Sequence, residues 1–281
     1  MTDEPSQLNT ADHSRDSAGL RYVYPVVSRR AGGVSIGINL NTNNACNWRC
    51  IYCQVPDLTR GTAPPVDLPL LEKELGGFLQ ELQHGDFMQR VPPEARRIND
   101  IAISGNGEPT SAQEFAEVIE IIARLKPADL KLVLITNGSL TQRDNVQLGL
   151  RRMAQFNGEV WFKLDRASEA GMALVNDTKT TMDKVQQNLA AAIACCPNTW
   201  LQTCWFALDG KAPGAQDEDD YVDFLKVMMR GGINPQGVLL YGLARLSMQK
   251  EGSRLSALSH EQMESFAARI RMLGMDVRLS V

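Results

Sequence analysis

The chain has 281 residues, of which 43% are hydrophobic and 22% charged, and these ordinary globular values exclude wholesale disorder. Its 29 basic and 33 acidic residues give a formal charge of −4, without the positive excess of a general nucleic-acid binder. No run approaches the roughly 18 apolar residues of a membrane span, and the N-terminus lacks a secretory pattern. We therefore expect a cytoplasmic protein with no membrane partner.

Along the chain, residues 1–20 are polar and without periodicity, which predicts a disordered tail before a core domain over 21–281. Short apolar strands then alternate with amphipathic helical patterns. The predicted strands cover residues 34–40, 100–104, 130–136, 159–165, 199–208, 236–244 and 276–281. The predicted helices cover about 67–83, 112–126, 141–155, 178–194, 217–230 and 259–273. This alternation predicts an α/β fold of parallel βα units, curled into a barrel or left as an open twisted sheet.

Alternation within two strands places polar side chains in the interior. In the fourth strand, Trp161, Lys163 and Asp165 share the face opposite the apolar side chains, which should pack on helices. In the sixth strand, Tyr241 and Arg245 share one face. Because chemistry gathers at the carboxyl ends of parallel strands, we expect these side chains near a functional site.

Six cysteines in a long chain without a leader favour metal binding or catalysis over disulfides. Cys46, Cys50 and Cys53 directly follow the first strand, and three thiolates on one loop suit a 4Fe–4S cluster with one open iron. A tetrahedral zinc site would need a fourth ligand, and no histidine lies nearby in the sequence. Chance placement of three core cysteines is the remaining alternative.

Three further cysteines, Cys195, Cys196 and Cys204, lie far downstream. They could hold a second cluster, but that would need more thiols, so we interpret them as small buried hydrophobes.

The pattern Cys-x3-Cys-x-Tyr-Cys after the first strand of a βα series resembles the signature of the radical S-adenosylmethionine (radical SAM) superfamily. The resemblance implies a partial (β/α)6 TIM-like barrel in which SAM chelates the open iron through its amino and carboxylate groups. One electron, from a donor such as flavodoxin or ferredoxin, then cleaves SAM to methionine and a radical that abstracts hydrogen from substrate.

Residues 104–110 end the second strand and are similar to the superfamily's Gly-Gly-Glu element, although Asn106 stands where many members have glycine. The resemblance implies that the backbone at Gly107 approaches SAM closely and that the Glu108 carboxylate binds the methionyl ammonium. Taken alone, the same loop is a strand-to-helix turn with Pro109 at the helix start.

Other polar residues fall where the same resemblance implies a SAM cradle. The resemblance implies that Asn137 lies near the SAM sulfonium and ribose and that Lys163, Asp165 and Gln202 contact its ribose or carboxylate. It also implies that Tyr52 shields the cluster and packs on adenine. For each residue, the alternative is an ordinary polar or aromatic residue that fills the barrel interior or core.

Three interior residues carry the expected catalytic contacts. We expect Tyr241 and Arg245 to contact substrate from the barrel side opposite the cysteine loop, with Arg245 binding a carboxylate or phosphate. The alternative for Arg245 is an interior arginine paired with a structural carboxylate. Lys163 either contacts SAM or forms a Schiff base with a ketoacid, and the nearby Asp165 favours SAM contact because it keeps the ammonium charged.

The approach to the cysteines, the Glu108 loop and the segment 241–245 most resemble the branch with wyosine-base tRNA-modifying enzymes and small bacterial relatives. The substrate, a small molecule or RNA, is not identified by these residues. An iron–sulfur electron-transfer or sensor protein without SAM chemistry is the alternative from another class.

Overall fold

The computed structural model describes residues 19–28 and 33–281 of the chain, so the predicted polar tail lies outside the described residues except for residues 19 and 20. An eight-stranded sheet runs through the fold, and its strand order follows the chain from one edge to the other. The strands are β1 (Val23–Ser28), β2 (Gly33–Ile38), β3 (Ile98–Ile103), β4 (Lys131–Thr136), β5 (Glu159–Lys163), β6 (Thr199–Cys204), β7 (Gly237–Tyr241) and β8 (Asp276–Ser280).

Seven helices accompany the sheet in the described part of the chain. They are α1 (Leu68–His84), α2 (Phe115–Leu125), α3 (Asp144–Gln155), α4 (Glu169–Asn176), α5 (Met182–Cys195), α6 (Ala215–Arg230) and α7 (His260–Arg271). Short 3-10 turns cover Phe87–Arg90, Pro93–Ala95, Pro109–Ser111 and Gly252–Arg254. No helix in this described part is both long and apolar enough to cross a membrane.

Strands β2 to β8 are parallel, and β1 pairs antiparallel with β2. Six parallel strands are each followed by at least one helix, and β8 ends the series, so the predicted succession of βα units is confirmed. β1 and β8 form the two edges, which leaves the sheet unclosed. Pro25 in β1 has no N–H to donate, which an edge strand tolerates.

The predicted alternation in β5 is also observed. Val160 and Phe162 are buried in the main hydrophobic core, whereas Trp161 and Lys163 are half-buried on the other face of the sheet. Because the strands are parallel and in register, their carboxyl ends bring several loops to one edge.

One strand of the main sheet and one helix were not predicted, and two strands end at least three residues earlier than expected. β1 lies before the first predicted strand, and α4 has only eight residues, too few to show a helical period. β7 ends at Tyr241, so Arg245 lies beyond the strand. The predicted strand over 199–208 divides into β6 and a two-residue strand, Ala207–Leu208, which pairs with Leu255–Ser256.

Candidate active site

The cysteine loop, residues 39–60, leaves the carboxyl end of β2 and is held by its own polar side chains. Asn41 is fully buried, and its Nδ2 donates to the carbonyl of Ala45 at 2.9 Å. The two-residue strand Ala45–Cys46 pairs with Thr59–Arg60 and closes the loop. Buried backbone carbonyls need such partners, so the sequence before Cys46 determines the loop's path.

The three thiols of this loop are half-buried and free of disulfides. Burial raises the pKa of the Cys46 thiol to about 12 and that of the Cys50 thiol to about 12. Without a cation, such thiols stay neutral; a bound metal reverses this preference and stabilises the thiolate. Their chemistry therefore fits a metal-thiolate cluster.

Among the residues that the structure describes, no three His, Cys, Asp or Glu side chains are grouped to hold a single metal ion. This grouping is what a structural zinc site requires. A four-iron cluster differs because each thiolate binds a different iron, which places the sulfurs farther apart.

Glu108 lies in the loop after β3 and is 2% exposed. Its Oε1 accepts hydrogen bonds from the Thr110 backbone N–H at 3.1 Å and from the Thr110 and Thr136 hydroxyls, each at 2.5 Å. Its Oε2 accepts from the Asn137 backbone N–H at 2.6 Å. Burial raises the pKa of Glu108, and these four bonds partly oppose the rise. Oε1 carries three of these bonds and Oε2 only one, so Oε2 is the oxygen that could accept a further bond from a ligand.

Gly107 packs against the cysteine loop. A Cβ built on Gly107 would lie 1.9 Å from the carbonyl oxygen of Ala45 and 2.7 Å from the Cγ of Asn41. Gly107 therefore lies in close contact with protein backbone next to Cys46, and its approach to SAM stays a prediction.

The substitution Gly107→Ala should lower the free energy of unfolding by about 1–3 kcal/mol, because backbone must move to admit the methyl group. It should also lower the iron content after reconstitution, since the displaced backbone adjoins Cys46. Chemical denaturation and iron assay measure both effects. Gly76→Ala is the control: no atom lies within 4 Å of the added Cβ, and alanine in a helix should stabilise by about 0.5–1 kcal/mol. Equal stability of the two variants would contradict the packing argument.

Asn137, directly after β4, joins the third loop to the other two. Besides its backbone bond to Glu108, its Nδ2 donates to Asn47 Oδ1 at 2.8 Å. Asn47 Nδ2 in turn donates to the Ser139 hydroxyl at 2.7 Å. The loops after β2, β3 and β4 thus form one hydrogen-bonded unit, which includes the first cysteine.

Lys163 ends β5 on the face of the sheet opposite Val160 and Phe162, between two tyrosines. Its Nζ donates to the hydroxyls of Tyr52 and Tyr241, each at 3.2 Å. Burial lowers the pKa of Lys163, but the acidic groups of Tyr241, Asp165 and Cys50 outweigh this effect and raise it overall. The ammonium is therefore charged at neutral pH. Lys163 links Tyr241 to Tyr52 of the cysteine loop, so Tyr241 lies close to that loop and not opposite it as expected.

Asp165 is 1% exposed and does not bond directly to Lys163. Its Oδ2 accepts from the Tyr52 hydroxyl at 2.6 Å and from Asn176 Nδ2 at 2.6 Å, and its Oδ1 accepts from the Cys204 backbone N–H at 2.8 Å. With these bonds in place, Asp165 supports Tyr52 and Asn176. The Tyr52 hydroxyl bridges the two residues, because it donates to Asp165 and accepts from Lys163.

Gln202 is the register partner of Lys163 in the neighbouring strand and is 4% exposed. Its Oε1 is buried and has no hydrogen-bond partner among the described residues. A buried acceptor without a partner calls for an explanation, and a bound ligand with a donor group provides one. This position fits the predicted role in a ligand cradle.

Arg245 does not lie on the inward face of a strand. It follows β7 by four residues, and its Nη1 lies 3.3 Å from Gln54 Oε1, next to the last cysteine. The segment 245–251 also contacts the cysteine loop, because Met248 N–H donates to the Cys53 carbonyl at 2.9 Å. The expectation that Arg245 faces the loop from across the barrel is therefore wrong, since the chain turns back over the loop once β7 ends.

Cys195 and Cys196 end α5 and precede β6, whereas Cys204 ends that strand. A six-residue strand of about 3.3 Å per residue separates Cys196 from Cys204. The three thiols therefore do not share one site, and all three are buried, as small hydrophobes are.

Sequence reasoning missed Asn176, whose Nδ2 lies 3.2 Å from Cys50 Sγ. It belongs to the short α4, which no period revealed. The one local indication is the following Asp177, which takes the left-handed conformation (φ 49°) typical of Asn or Asp after a helix.

No protein-family model matches the chain. Two curated relatives are each 26% identical: UPF0026 protein MJ1312 of Methanocaldococcus jannaschii, over 59% of this chain, and GTPase Obg of Brachyspira hyodysenteriae, over 53%. The chain spans 48% of the first relative's length and 20% of the second's. Its single Gly-Lys pair, Gly210-Lys211, precedes Ala212 instead of the Ser or Thr of a phosphate-binding loop, so GTP binding is not carried over.

Solved structures show the fold more clearly. SuiB of Streptococcus suis, bound to S-adenosylmethionine, matches with a TM-score of 0.59 at 10% identity, over 89% of this chain and 51% of that one. TYW1 with a bound lysine-pyruvate adduct matches with a TM-score of 0.53 at 16% identity, over 85% and 73%. The chain therefore shares the partial TIM-like barrel fold of these two proteins, and the predicted fold class is confirmed.

Proposed function

We propose that the chain is a radical SAM enzyme whose 4Fe–4S cluster is held by Cys46, Cys50 and Cys53. One observation carries the proposal: the three-cysteine loop leaves the first parallel strand and is hydrogen-bonded to the next two loops of this fold. When bound and reduced, the cluster would supply the electron that cleaves SAM and so generates a radical able to abstract hydrogen from substrate.

The residues around the loop suit the binding of SAM. Glu108 Oε2 accepts only one bond and suits an ammonium, and the buried Gln202 Oε1 has no partner among the described residues and suits a hydroxyl or N–H donor. The charged Lys163 ammonium has two neutral hydroxyl partners and one remaining hydrogen, which suits a carboxylate. Asn137 orients the Glu108 carboxylate through its backbone N–H.

The substrate of the proposed enzyme is a small molecule or RNA. Tyr241 lies beside Lys163 and suits substrate contact, while Arg245 lies beside the cysteine loop. An electron donor such as flavodoxin or ferredoxin and a cytoplasmic location belong to the same proposal.

Anaerobic reconstitution of the full chain with iron and sulfide tests the proposal. We expect about four irons per chain, measurable SAM affinity and 5′-deoxyadenosine after addition of a reductant. A protein that binds the cluster but neither binds nor cleaves SAM would instead be an electron carrier or sensor. A colourless, iron-free protein would overturn the proposal.

Replacing Lys163 by Ala should weaken SAM binding at least about tenfold, because a charged hydrogen bond contributes about 1.5–3 kcal/mol. Equilibrium binding to the reconstituted protein measures the change. Lys131→Ala is the control, since Lys131 pairs with Glu159 at 2.5 Å near the amino end of its strand. Equal loss in both variants would contradict a local role for Lys163.

A second candidate role for Lys163 is suggested by the TYW1 structure, which holds a lysine-pyruvate adduct. A Schiff base needs a neutral amine, and the raised pKa of Lys163 opposes this. Borohydride treatment with pyruvate, followed by peptide mass mapping, distinguishes the roles: a reduced adduct on Lys163 would favour carbon–carbon bond formation with a ketoacid over SAM contact.

A further inference from the structure

Asn176, the last residue of α4, directs both of its side-chain N–H groups at acidic partners. It is fully buried, and its Nδ2 donates to Cys50 Sγ at 3.2 Å and to Asp165 Oδ2 at 2.6 Å. One amide nitrogen has two hydrogens, so both bonds form together. The side chain thus links a cysteine of the loop to a buried carboxylate.

The orientation of this amide is fixed. Asn176 Oδ1 is buried and has no hydrogen-bond partner among the described residues. Rotating the amide would set that oxygen against the Asp165 carboxylate, which now accepts from Nδ2 at 2.6 Å. The observed orientation leaves a buried carbonyl oxygen without a partner, which is normally unfavourable. It also directs an N–H at the sulfur.

The backbone holds Cys50 in place against Asn176. The Arg49 N–H donates to the Asn176 carbonyl at 3.2 Å, and the Ile51 N–H donates to the Val175 carbonyl at 2.9 Å. Both residues adjacent to Cys50 are therefore bonded to the end of α4. The Arg49 guanidinium also binds Glu251 through two bonds of 2.9 Å each. Such bracing makes the distance from Asn176 to the sulfur a property of the fold.

We propose that Asn176 is a positioning residue that raises the reduction potential of the cluster through its N–H···S bond to Cys50. This inference rests on the proposed function. Reduction adds negative charge to the cluster and its thiolates, so a hydrogen-bond donor stabilises the reduced form more than the oxidised form. Asn176 thereby eases the entry of the electron on which SAM cleavage depends.

The test is the midpoint potential of the reconstituted cluster in Asn176→Leu, which keeps the size of the side chain and removes the donor. We expect the equilibrium constant for reduction to fall about tenfold, which is about 59 mV for a one-electron couple. Asn188→Leu is the matched control, because Asn188 is 2% exposed and its Oδ1 also lacks a partner among the described residues. Its backbone carbonyl accepts from the Thr141 hydroxyl, a bond that the substitution leaves in place. Its potential should equal that of the wild type.

Iron content and circular dichroism accompany each potential, so that loss of the cluster is not mistaken for a change in it. If Asn176→Leu loses iron, the midpoint potential is measured in Asn176→Ala, which also lacks the donor and must show the expected decrease in potential. A potential equal to wild type in a fully loaded variant overturns the inference and leaves the proposed function standing. Failure of the wild-type chain to bind a cluster overturns the proposed function itself.

Discussion

Replacing any one of Cys46, Cys50 and Cys53 by Ala should abolish formation of 5′-deoxyadenosine and most of the iron binding. Each thiolate would bind its own iron, so the loss of one leaves a second iron open and the cluster weakly held. Iron and sulfide assays after anaerobic reconstitution measure the loss, and product analysis measures the activity. We expect a decrease to background in both.

The fold should survive these substitutions, because the three side chains are only half-buried and the loop is held by Asn41 and its neighbours. Cys196→Ala is the matched control: this thiol is buried before β6 and lies outside the cysteine loop. It should lose stability, by the ordinary cost of truncating a core side chain, and keep its iron. A triple alanine variant that still bound about four irons would rule out this cluster assignment.

Replacing Glu108 by Gln should reduce both stability and SAM affinity. The new amide keeps one oxygen for the Thr110 and Thr136 donors, but its nitrogen then faces the Asn137 N–H, and two donors oppose each other. An unsatisfied buried group costs about 1–3 kcal/mol of unfolding free energy. The lost negative charge should weaken SAM binding further, which equilibrium binding and denaturation measure separately.

Glu74→Gln separates the two effects. Glu74 is also a buried carboxylate, and it accepts the backbone N–H groups of Arg21 at 2.9 Å and Tyr22 at 2.8 Å. Its substitution should cost similar stability and leave SAM affinity intact. If both variants bound SAM as tightly as the wild type, Glu108 would be a purely structural residue of the loop.

The sequence by itself determined the succession of elements and the position of the cysteines. Strand and helix periods are local properties, so the six βα units and the inward face of β5, with Trp161 and Lys163, were predictable from residues two to four apart. The spacing of Cys46, Cys50 and Cys53 is equally local. The parallel order of the strands then placed Glu108 and Asn137 at the same edge.

Only the tertiary structure decided which groups meet at that edge. Asn176 contacts Cys50 across 126 positions of sequence, and Glu108 accepts a hydrogen bond from Thr136 across 28 positions. Neither contact leaves a periodic pattern in the sequence. Arg245 lies beside Gln54 because β7 ends at Tyr241, an end set by pairing with its neighbouring strands. A hydrogen bond in a buried site depends on position to within a fraction of an ångström, and packing of the whole fold fixes that position.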